Sequence, residues 1–353
     1  MVMKTNLVGD YDMGKKIGVI GGGSWGTALA ILLANKGMYV DMWLRDEGQV
    51  ADIKAYGENQ KYLPGISIPS KLKVTNDLEK AILDKELLVL STSSHGVRNV
   101  LSEVKNLINK EQILVNVAKG IENDSLMRIS QVVGEILPRN SYAVLSGPTH
   151  AEEVARNIPS TIVSASREKK VAEFVQDIFM TPNFRVYTNP DVIGVELGGS
   201  LKNVIALAAG ISDGLKYGDN TKAALMTRGI FEMSKLGLKM GANINTFSGL
   251  AGIGDLIVTC TSMLSRNRRA GILIGEGYSV DEAVDKIGMV VESIRTTKSA
   301  YLLAKDYDVD MPITEELFNV LYNAYPVMES VPNLMTRGKK HEMEINISED
   351  GFC

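Results

Sequence analysis

Hydrophobic and polar residues follow two different patterns along the chain, and the pattern changes near residue 190. Before that point, short runs rich in β-branched residues alternate with longer segments whose apolar residues recur at helical spacing. The short runs predict strands at 16–20, 38–44, 87–91, 112–117, 142–146 and 161–165. Strands separated by helices are typical of βαβ units, so the first half predicts a doubly wound α/β domain with a parallel sheet.

The segment between the first two strands predicts a helix over 26–35, because it is rich in Ala and Leu. Gly37 follows this helix at a place where a residue without a Cβ suits the C-terminal cap. The chain therefore opens with a strand, a glycine turn, a helix and a second strand.

From about Asn189 onward the strand pattern ends, and the sequence predicts successive helices joined by segments that contain Gly and Asn. A chain of 353 residues also exceeds the size at which one hydrophobic core usually stops growing, which favours two domains. We predict an N-terminal extension at 1–15, an α/β domain at 16–193, an all-α domain at 194–341 and a polar tail at 342–353.

The composition, 45% hydrophobic and 23% charged, is typical of a globular protein. A net charge of -4 gives no electrostatic reason to expect nucleic acid or an anionic membrane as a partner. Cys260 and Cys353 are too few for a disulfide framework or a multi-cysteine metal site, and they fit a reducing compartment. We predict no metal.

Two segments of the chain bear on membrane insertion or targeting. The first sixteen residues lack the apolar core of a signal peptide and include Asp10 and Asp12. The most apolar later stretch, 191–211, is interrupted by Glu196 and Lys202, which argues against a membrane span. The sequence therefore predicts a soluble protein.

The first strand is followed directly by a GxGxxG pattern at Gly21, Gly23 and Gly26, which opens the predicted helix. In such a motif the first glycine permits the tight turn, the second lets backbone approach a pyrophosphate, and the third lets the helix pack closely on the strand. The helix N-terminus then faces the phosphates. The context of strand, turn and helix predicts a dinucleotide site, although a related fold without a bound nucleotide would carry the same glycines.

Arg45 and Asp46 stand at the end of the second strand, where NAD-specific proteins commonly carry an acid for the ribose 2′-hydroxyl. Arginine there can pair with a 2′-phosphate, which favours NADP(H), whereas Asp46 could accept from an unphosphorylated ribose. A solvated loop arginine is the alternative, and NAD(H) is not excluded.

Two lysines stand out. Lys119 comes just past the end of a predicted strand, where ligands bind in open α/β sheets, although loop lysines are commonly just solvated. Lys202 lies in a predicted helix that is apolar or small almost all round and therefore buried. A buried ammonium must be paired, neutralised or used, and burial lowers a lysine pKa towards the range useful for proton transfer. The alternative for Lys202 is a side chain that extends along a domain interface to reach water.

Asp255 and the basic segment 265–269 lie in a setting rich in Gly, Thr and Ser. Together they suggest a phosphate clamp, but a basic run is more commonly a solvated face when nothing else supports a role.

Across 16–340 these residues resemble the bacterial-type NAD(P)-dependent glycerol-3-phosphate dehydrogenases. Several motifs carry the resemblance in order: Gly21-Gly-Gly-Ser-Trp-Gly, Lys119-Gly-Ile-Glu, Ser146-Gly-Pro-Thr-His-Ala, Glu196-Leu-Gly-Gly-Ser-Leu-Lys-Asn, Gly252-Ile-Gly-Asp, Leu264-Ser-Arg-Asn and Val290-Val-Glu-Ser. The resemblance implies reduction of dihydroxyacetone phosphate with NADP or NAD as cofactor. It further implies a helical domain like the C-terminal domain of 6-phosphogluconate dehydrogenase-like enzymes, a homodimer, a cytoplasmic location and a product used in phospholipid synthesis.

The resemblance also implies roles for particular residues. Lys202 corresponds to the catalytic lysine, which exchanges a proton with the substrate oxygen while Lys119 lies nearby. The cofactor contacts it implies, beyond the glycine turn, are Ser24, Trp25, Arg45, Tyr62, Lys119, Ala151, Arg266, Val290 and Glu292. The substrate contacts it implies are Lys119, Gly147, Thr149, Lys202, Asp255, Ser265, Arg266 and Asn267.

One segment departs from the family pattern, because Thr92-Ser-Ser-His95 replaces the usual valine–proline turn. We interpret His95 as a loop residue near the nicotinamide side, and we assign no role to His150 or His341.

Two other functions stay open at this point. The same fold could act on another hydroxy acid, although Ser265-Arg-Asn beside the two lysines favours a phosphate. A nucleotide-binding redox sensor without chemistry is the second alternative, but sensing alone does not require Lys119, Lys202 and Asp255 together.

Overall fold

The structure, a computed structural model, describes residues 14–339 and Glu342. The predicted extension at 1–15 and the predicted tail at 342–353 therefore lie almost entirely outside the described residues.

Ten strands form in the first half of the chain. They are β1 (Lys16–Ile20), β2 (Tyr39–Trp43), β3 (Glu58–Asn59), β4 (Leu63–Ser67), β5 (Leu72–Thr75), β6 (Leu87–Leu90), β7 (Ile113–Asn116), β8 (Tyr142–Ser146), β9 (Ser160–Ala165) and β10 (Phe184–Asn189). All six predicted strands are present, to within two residues at their ends. Strands β5 and β10 and the small β3–β4 hairpin were not predicted from the sequence.

Eight of these strands make one sheet in the order β10-β9-β8-β7-β6-β1-β2-β5. Successive residues of β6 alternate between two hydrophobic cores, with Leu87 and Val89 in one and Leu88 and Leu90 in the other. Both sheet faces are thus covered, which confirms the doubly wound α/β class.

The sheet is parallel, as predicted, except at one place, where β8 and β9 pair antiparallel. A parallel neighbour requires a crossover that returns the chain to the starting edge of the sheet. The link 147–159 contains only a five-residue helix at Ala151–Ala155, and the chain turns back beside β8 instead. The remaining pairs in this sheet are parallel.

Sixteen α-helices are present in the described part of the chain. In the first half they are α1 (Ser24–Asn35), α2 (Glu47–Tyr56), α3 (Leu78–Ile82), α4 (Val97–Val104), α5 (Ile129–Ile136), α6 (Ala151–Ala155) and α7 (Lys169–Phe179). After β10 they are α8 (Val192–Gly214), α9 (Asp219–Lys239), α10 (Ile244–Phe247), α11 (Asp255–Thr261), α12 (Arg266–Gly275), α13 (Val280–Ile287), α14 (Glu292–Asp306), α15 (Pro312–Tyr322) and α16 (Val327–Met335). A 3₁₀ turn at Ser94–Gly96 and a π-helical turn at Leu250–Gly254 complete the set. The all-α second half is confirmed.

The first helix begins two residues earlier than predicted, at Ser24, and the chain leaves it through Gly37. Gly37 has φ +106°, a left-handed conformation that glycine adopts without strain. Its place as the residue that ends the helix agrees with the sequence.

Helix α8 is the centre of the second half. Most of its residues are buried, and the other helices pack around it in a separate hydrophobic core. By length and composition α8 is apolar enough to cross a membrane, but 94% of its most apolar window is buried inside the structure, as in a core helix.

Two carboxylates fix the start of α8, and one of them, Glu196, links it to the sheet domain. Asp191 caps its N-terminus by accepting from the Gly194 amide at 2.9 Å. One turn into the helix, the buried Glu196 accepts from the Arg128 guanidinium at 2.8 Å and from the Tyr142 hydroxyl at 2.7 Å. The orientation of α8 relative to the sheet is therefore set by paired polar groups as well as by packing.

Candidate functional site

A cleft of 1270 Å³ separates the carboxyl ends of the sheet strands from the helices that surround α8. Residues from both halves of the chain line it, from the glycine turn to the N-terminus of α12. Ligands of open α/β sheets bind at this edge, and clefts between domains are favoured sites. The cleft is therefore the candidate active site.

The glycine turn has the backbone that a dinucleotide requires. Gly21 has φ +120°, and a Cβ there would come within 2.7 Å of the Ser91 carbonyl. A Cβ on Gly26 would overlap the carbonyl oxygen of Gly21, so the close approach of α1 to the turn also needs glycine. Gly23, by contrast, meets nothing within 4 Å and faces open space.

The N-terminus of α1 is prepared for an anion. Its N-cap, Gly23, offers no side chain to the amides of the first turn, which consequently have no partner within the helix. These amides and the helix dipole together attract a phosphate. Trp25, in the same turn, has a buried indole N–H without a hydrogen-bond partner in the described residues. This set of donors fits a dinucleotide.

Asn59, which the sequence analysis missed, supports the turn from behind. Its amide donates to the Gly22 carbonyl at 2.9 Å and to the Thr27 hydroxyl at 2.8 Å. Asn59 lies in the β3–β4 hairpin, whose short strands have no clear pattern in the sequence. Tyr62, from the same hairpin, lines the cleft.

Arg45 and Asp46 differ in the contacts that their side chains already make. Arg45 is exposed at the cleft wall, with its guanidinium carbon 5.9 Å from the centre of the Trp43 ring. Asp46 caps α2 by accepting from the Gln49 amide at 3.1 Å. Because one oxygen of Asp46 is used in this way, Arg45 is the freer of the two to contact an adenosine ribose.

Three charged side chains, one from the sheet domain and two from the helical half, meet at the cleft. The Lys119 ammonium donates to Asp255 at 2.8 Å and to the Gly147 carbonyl at 3.0 Å. The Lys202 ammonium donates to the other oxygen of Asp255 and to the Thr259 hydroxyl, the latter at 2.7 Å. Two lysines from different domains thus share one carboxylate, and we name this group the Lys119–Asp255–Lys202 cluster.

The cluster is buried, since Lys202 is 5% exposed and Asp255 only 1%. Burial lowers the pKa of Lys202 to about 7; Asp255 opposes this shift and Lys119 adds to it. Burial alone would raise the pKa of Asp255, but the two lysines outweigh it and hold that pKa below its usual value. The arrangement therefore keeps Asp255 ionised and makes Lys202 able to gain or lose a proton near neutral pH.

The arginines of the basic segment at the start of α12 have two different surroundings. Arg268 donates to Asp213 at 2.8 Å and to the Thr261 carbonyl at 2.8 Å, so it has a structural ion pair. Arg266 and Arg269 line the cleft. Ser265 caps α12 by accepting from the Arg268 amide at 3.2 Å.

The side-chain amides of two asparagines connect α12 to the backbone of Lys119. The Asn267 side chain accepts from the Ser293 amide at 3.0 Å and donates to Asn203 at 2.9 Å, and Asn203 donates to the Lys119 carbonyl at 3.3 Å. Asn203 and Thr259 are both absent from the predicted site. Both could have been found from the sequence, because Asn203 follows Lys202 directly and Thr259 lies four residues after Asp255, on the same helix face.

Glu292 contacts the opposite domain through its side chain, which accepts from the Ser94 hydroxyl at 3.4 Å. Burial raises the pKa of Glu292, although Arg266, Ser94 and Arg295 oppose the shift. His95 follows Ser94 in the 3₁₀ turn. Its Nε2 atom lies 3.1 Å from the Ser93 hydroxyl oxygen, and the residue lines the same cleft.

The structure brings nearly all the predicted site residues to this cleft. Those that line it are Gly21, Gly23, Ser24, Trp25, Gly26, Arg45, Tyr62, Lys119, Thr149, Ala151, Lys202, Ser265, Arg266, Asn267, Val290 and Glu292. Gly147 and Asp255 are the exceptions: the Gly147 carbonyl accepts from Lys119, and Asp255 accepts from both lysines. Within the described residues, no group of three or more His, Cys, Asp or Glu side chains forms a metal site.

The doubly wound sheet, the glycine turn and the helical second half define the class of NAD(P)-dependent oxidoreductases. Within that class the family is specific. The chain belongs to the NAD-dependent glycerol-3-phosphate dehydrogenase family, whose N-terminal model matches residues 16–172 and whose C-terminal model matches residues 191–332.

Named relatives agree with this assignment. The glycerol-3-phosphate dehydrogenase [NAD(P)+] of Thermoanaerobacter sp. is 55% identical, with 93% of this chain and 99% of that protein covered. The enzyme of the same name from Bacillus subtilis is 52% identical, with 94% and 96% covered. Among solved structures, glycerol-3-phosphate dehydrogenase from Coxiella burnetii superposes with a TM-score of 0.90 at 38% identity, covering 92% of this chain and 100% of that chain.

Proposed function

We propose that the chain catalyses the reversible reduction of dihydroxyacetone phosphate to sn-glycerol 3-phosphate with NADPH or NADH. The observation that carries the proposal is the Lys119–Asp255–Lys202 cluster, which lies in one cleft with the glycine turn and the basic start of α12. Family membership supports the same reaction, because the relatives carry the name of this activity.

The substrate phosphate binds at the start of α12. Ser265, Arg266 and Asn267 present a hydroxyl, a guanidinium and an amide there, and α12 directs the positive end of its dipole towards them. Anchoring the phosphate orients the carbonyl at the far end of the molecule, so that binding energy contributes to the reaction.

The carbonyl oxygen lies against Lys202. During reduction, negative charge develops on that oxygen, and a site with two ammonium groups and one carboxylate stabilises it. Lys202 then gives its proton to the oxygen, and in the reverse direction it accepts the proton from the secondary alcohol. Lys119 and Asp255 fix the Lys202 ammonium in place.

The cofactor is held on the first domain. The amides of the first turn of α1, with Ser24 and Trp25, hold the pyrophosphate, while Arg45 and Tyr62 contact the adenosine end. When bound, the reduced nicotinamide supplies the hydride. Ala151, Arg266, Val290 and Glu292 also line the cleft, and we assign them further contacts with the cofactor.

The proposal extends to the role in the cell. We propose a cytoplasmic homodimer whose product enters phospholipid synthesis, with no nucleic-acid partner and no stable membrane insertion. The net charge of -4 and the burial of α8 support the last two points.

The test follows NADPH absorbance with dihydroxyacetone phosphate and then with unphosphorylated dihydroxyacetone, and repeats both with NADH. We expect oxidation only with the phosphorylated ketone, because the anchor at α12 needs a phosphate. Cofactor binding without oxidation by either ketone would contradict the proposal and direct the search to other hydroxy acids or to redox sensing.

A further inference from the structure

His150 lies at the reacting end of the cleft. It is the N-cap residue of α6, directly after Thr149, and it lines the cleft together with Lys119 and Lys202. Its side chain makes no capping hydrogen bond to the helix. The imidazole therefore has no evident structural task in α6.

The Nε2 atom of this ring is buried and has no hydrogen-bond partner in the part of the chain that the structure describes. Leaving a buried polar atom unpaired costs folding free energy, and most such atoms in folded proteins have a partner. A bound molecule in the cleft would supply the missing partner.

The charges of the lysine cluster and of the neighbouring glutamates act on this ring. Burial lowers the pKa of His150, as do Lys202 and Lys119, while Glu152 and Glu153 oppose the shift. The imidazole is consequently neutral at neutral pH. A neutral ring offers one donor and one acceptor, which suits an uncharged hydroxyl better than a phosphate.

Dihydroxyacetone phosphate has three polar groups, and the reaction proposed above provides protein partners for two of them. The phosphate binds at the start of α12, and the C2 carbonyl lies against Lys202. The C1 hydroxyl has no partner among those residues. Thr149, which the resemblance also places at the substrate, donates its hydroxyl to the Gly147 carbonyl at 3.2 Å. A site that hydrogen-bonds a substrate hydroxyl rejects the analogue that lacks it.

We propose that Nε2 of His150 forms a hydrogen bond with the C1 hydroxyl of dihydroxyacetone phosphate, and that His150 thereby selects a hydroxymethyl ketone over a methyl ketone. The assignment rests on the proposed function and adds a specificity-determining residue to it.

The experiment compares kcat/KM for dihydroxyacetone phosphate and for hydroxyacetone phosphate, which lacks the C1 hydroxyl. Both ketones are assayed with NADPH in the wild-type protein, in His150→Phe and in His150→Gln. Glu153→Gln is the matched control, because Glu153 lies on the same helix but does not line the cleft. His150→Ala serves as a second apolar variant, and thermal unfolding checks that each protein is folded.

We expect His150→Phe and His150→Ala to lower kcat/KM for dihydroxyacetone phosphate about tenfold and to leave the methyl ketone within about twofold. His150→Gln, whose amide reaches the place of Nε2, should recover most of the wild-type selectivity, and Glu153→Gln should keep all of it. If the role of His150 were purely structural, the apolar variants would lower kcat/KM for both ketones together.

Three outcomes would overturn the assignment, and they differ from one another. Turnover of both ketones with an unchanged selectivity in the apolar variants overturns the His150 role and leaves the proposed function intact. Weaker NADPH binding with unchanged selectivity also overturns it and assigns the ring to the cofactor. Failure of the wild-type protein to reduce either ketone overturns the proposed function and the His150 assignment together.

Discussion

Lys119 and Asp255 form a 2.8 Å ion pair that joins the loop after β7 to the first residue of α11. Since the other oxygen of Asp255 accepts from Lys202, a single carboxylate serves two ammonium groups from two domains. With both ammonium groups charged the cluster is net positive, and in the proposed reaction this charge faces the substrate oxygen that becomes negative. The cluster also joins residues from the two halves of the chain.

The first prediction concerns the shared carboxylate. Asp255→Asn removes the negative charge and leaves two buried ammonium groups that repel each other, so we expect kcat for reduction to fall about a hundredfold. Steady-state kinetics measures the loss. The matched control is Asp213→Asn, because Asp213 also pairs with two cations, Lys222 and Arg268, but with neither Lys119 nor Lys202. If both variants lost kcat equally, the effect of Asp255 would be structural rather than electrostatic.

The second prediction concerns the acid–base group itself. Lys202→Met removes the proton donor and should lower kcat/KM for reduction about a thousandfold, while the Kd for NADPH changes little. Lys202→Arg keeps the positive charge but not the ability to release a proton near neutral pH, so it should recover only part of the loss. Lys222→Met, a lysine paired with Asp213 away from the cleft, is the control. Retained turnover in Lys202→Met would exclude the proposed role.

The third prediction is a pH dependence with opposite signs in the two directions. Because burial lowers the pKa of Lys202 to about 7, the ammonium that reduction needs is lost as the pH rises through that value. Alcohol oxidation needs the neutral amine and should increase over the same interval. Measuring kcat in both directions between about pH 6 and 9 tests this, and Lys202→Arg should lack the break near pH 7. Parallel pH profiles for the two directions would point to another titrating group.

The fourth prediction concerns cofactor choice. Arg45 is exposed at the cleft wall, whereas Asp46 is engaged as the cap of α2. If Arg45 pairs with a 2′-phosphate, Arg45→Ala should lower kcat/KM for NADPH about 10- to 100-fold and leave NADH within about threefold. The ratio of the two cofactor efficiencies is the measurement. An equal loss with NADPH and NADH would instead indicate stacking of Arg45 on the adenine.

Local patterns in the sequence were sufficient for much of the fold and of the site. The glycine spacing identified the dinucleotide turn, and the apolar setting of Lys202 predicted its burial before any contact was known. Both features depend on residues close together in sequence, where periodicity and turn chemistry act directly.

What the sequence analysis missed depends on contacts between distant residues. Asn59 supports the glycine turn from a hairpin more than thirty residues away, and the antiparallel pairing of β8 with β9 follows from a link too short for a crossover. His150 was given no role, because the family resemblance assigns the chemistry to lysine. Its unpaired nitrogen becomes visible only when the cleft is built.

The last prediction concerns the contact that fixes α8 to the sheet domain. Glu196 accepts hydrogen bonds from the Arg128 guanidinium, the Ser130 amide at 2.7 Å and the Tyr142 hydroxyl, and Arg128 and Glu196 are both at least nine-tenths buried. Glu196→Ala leaves the Arg128 charge buried without its partner, which should lower the free energy of unfolding by about 3–5 kcal/mol.

Urea unfolding of the whole chain measures this loss. Glu173→Ala is the control, because Glu173 is exposed on α7 and pairs with Lys169 at 3.7 Å in a surface contact worth less than about 1 kcal/mol. If Glu196→Ala destabilised the protein no more than Glu173→Ala, the network around Glu196 would contribute little, and apolar packing alone would hold α8 on the sheet.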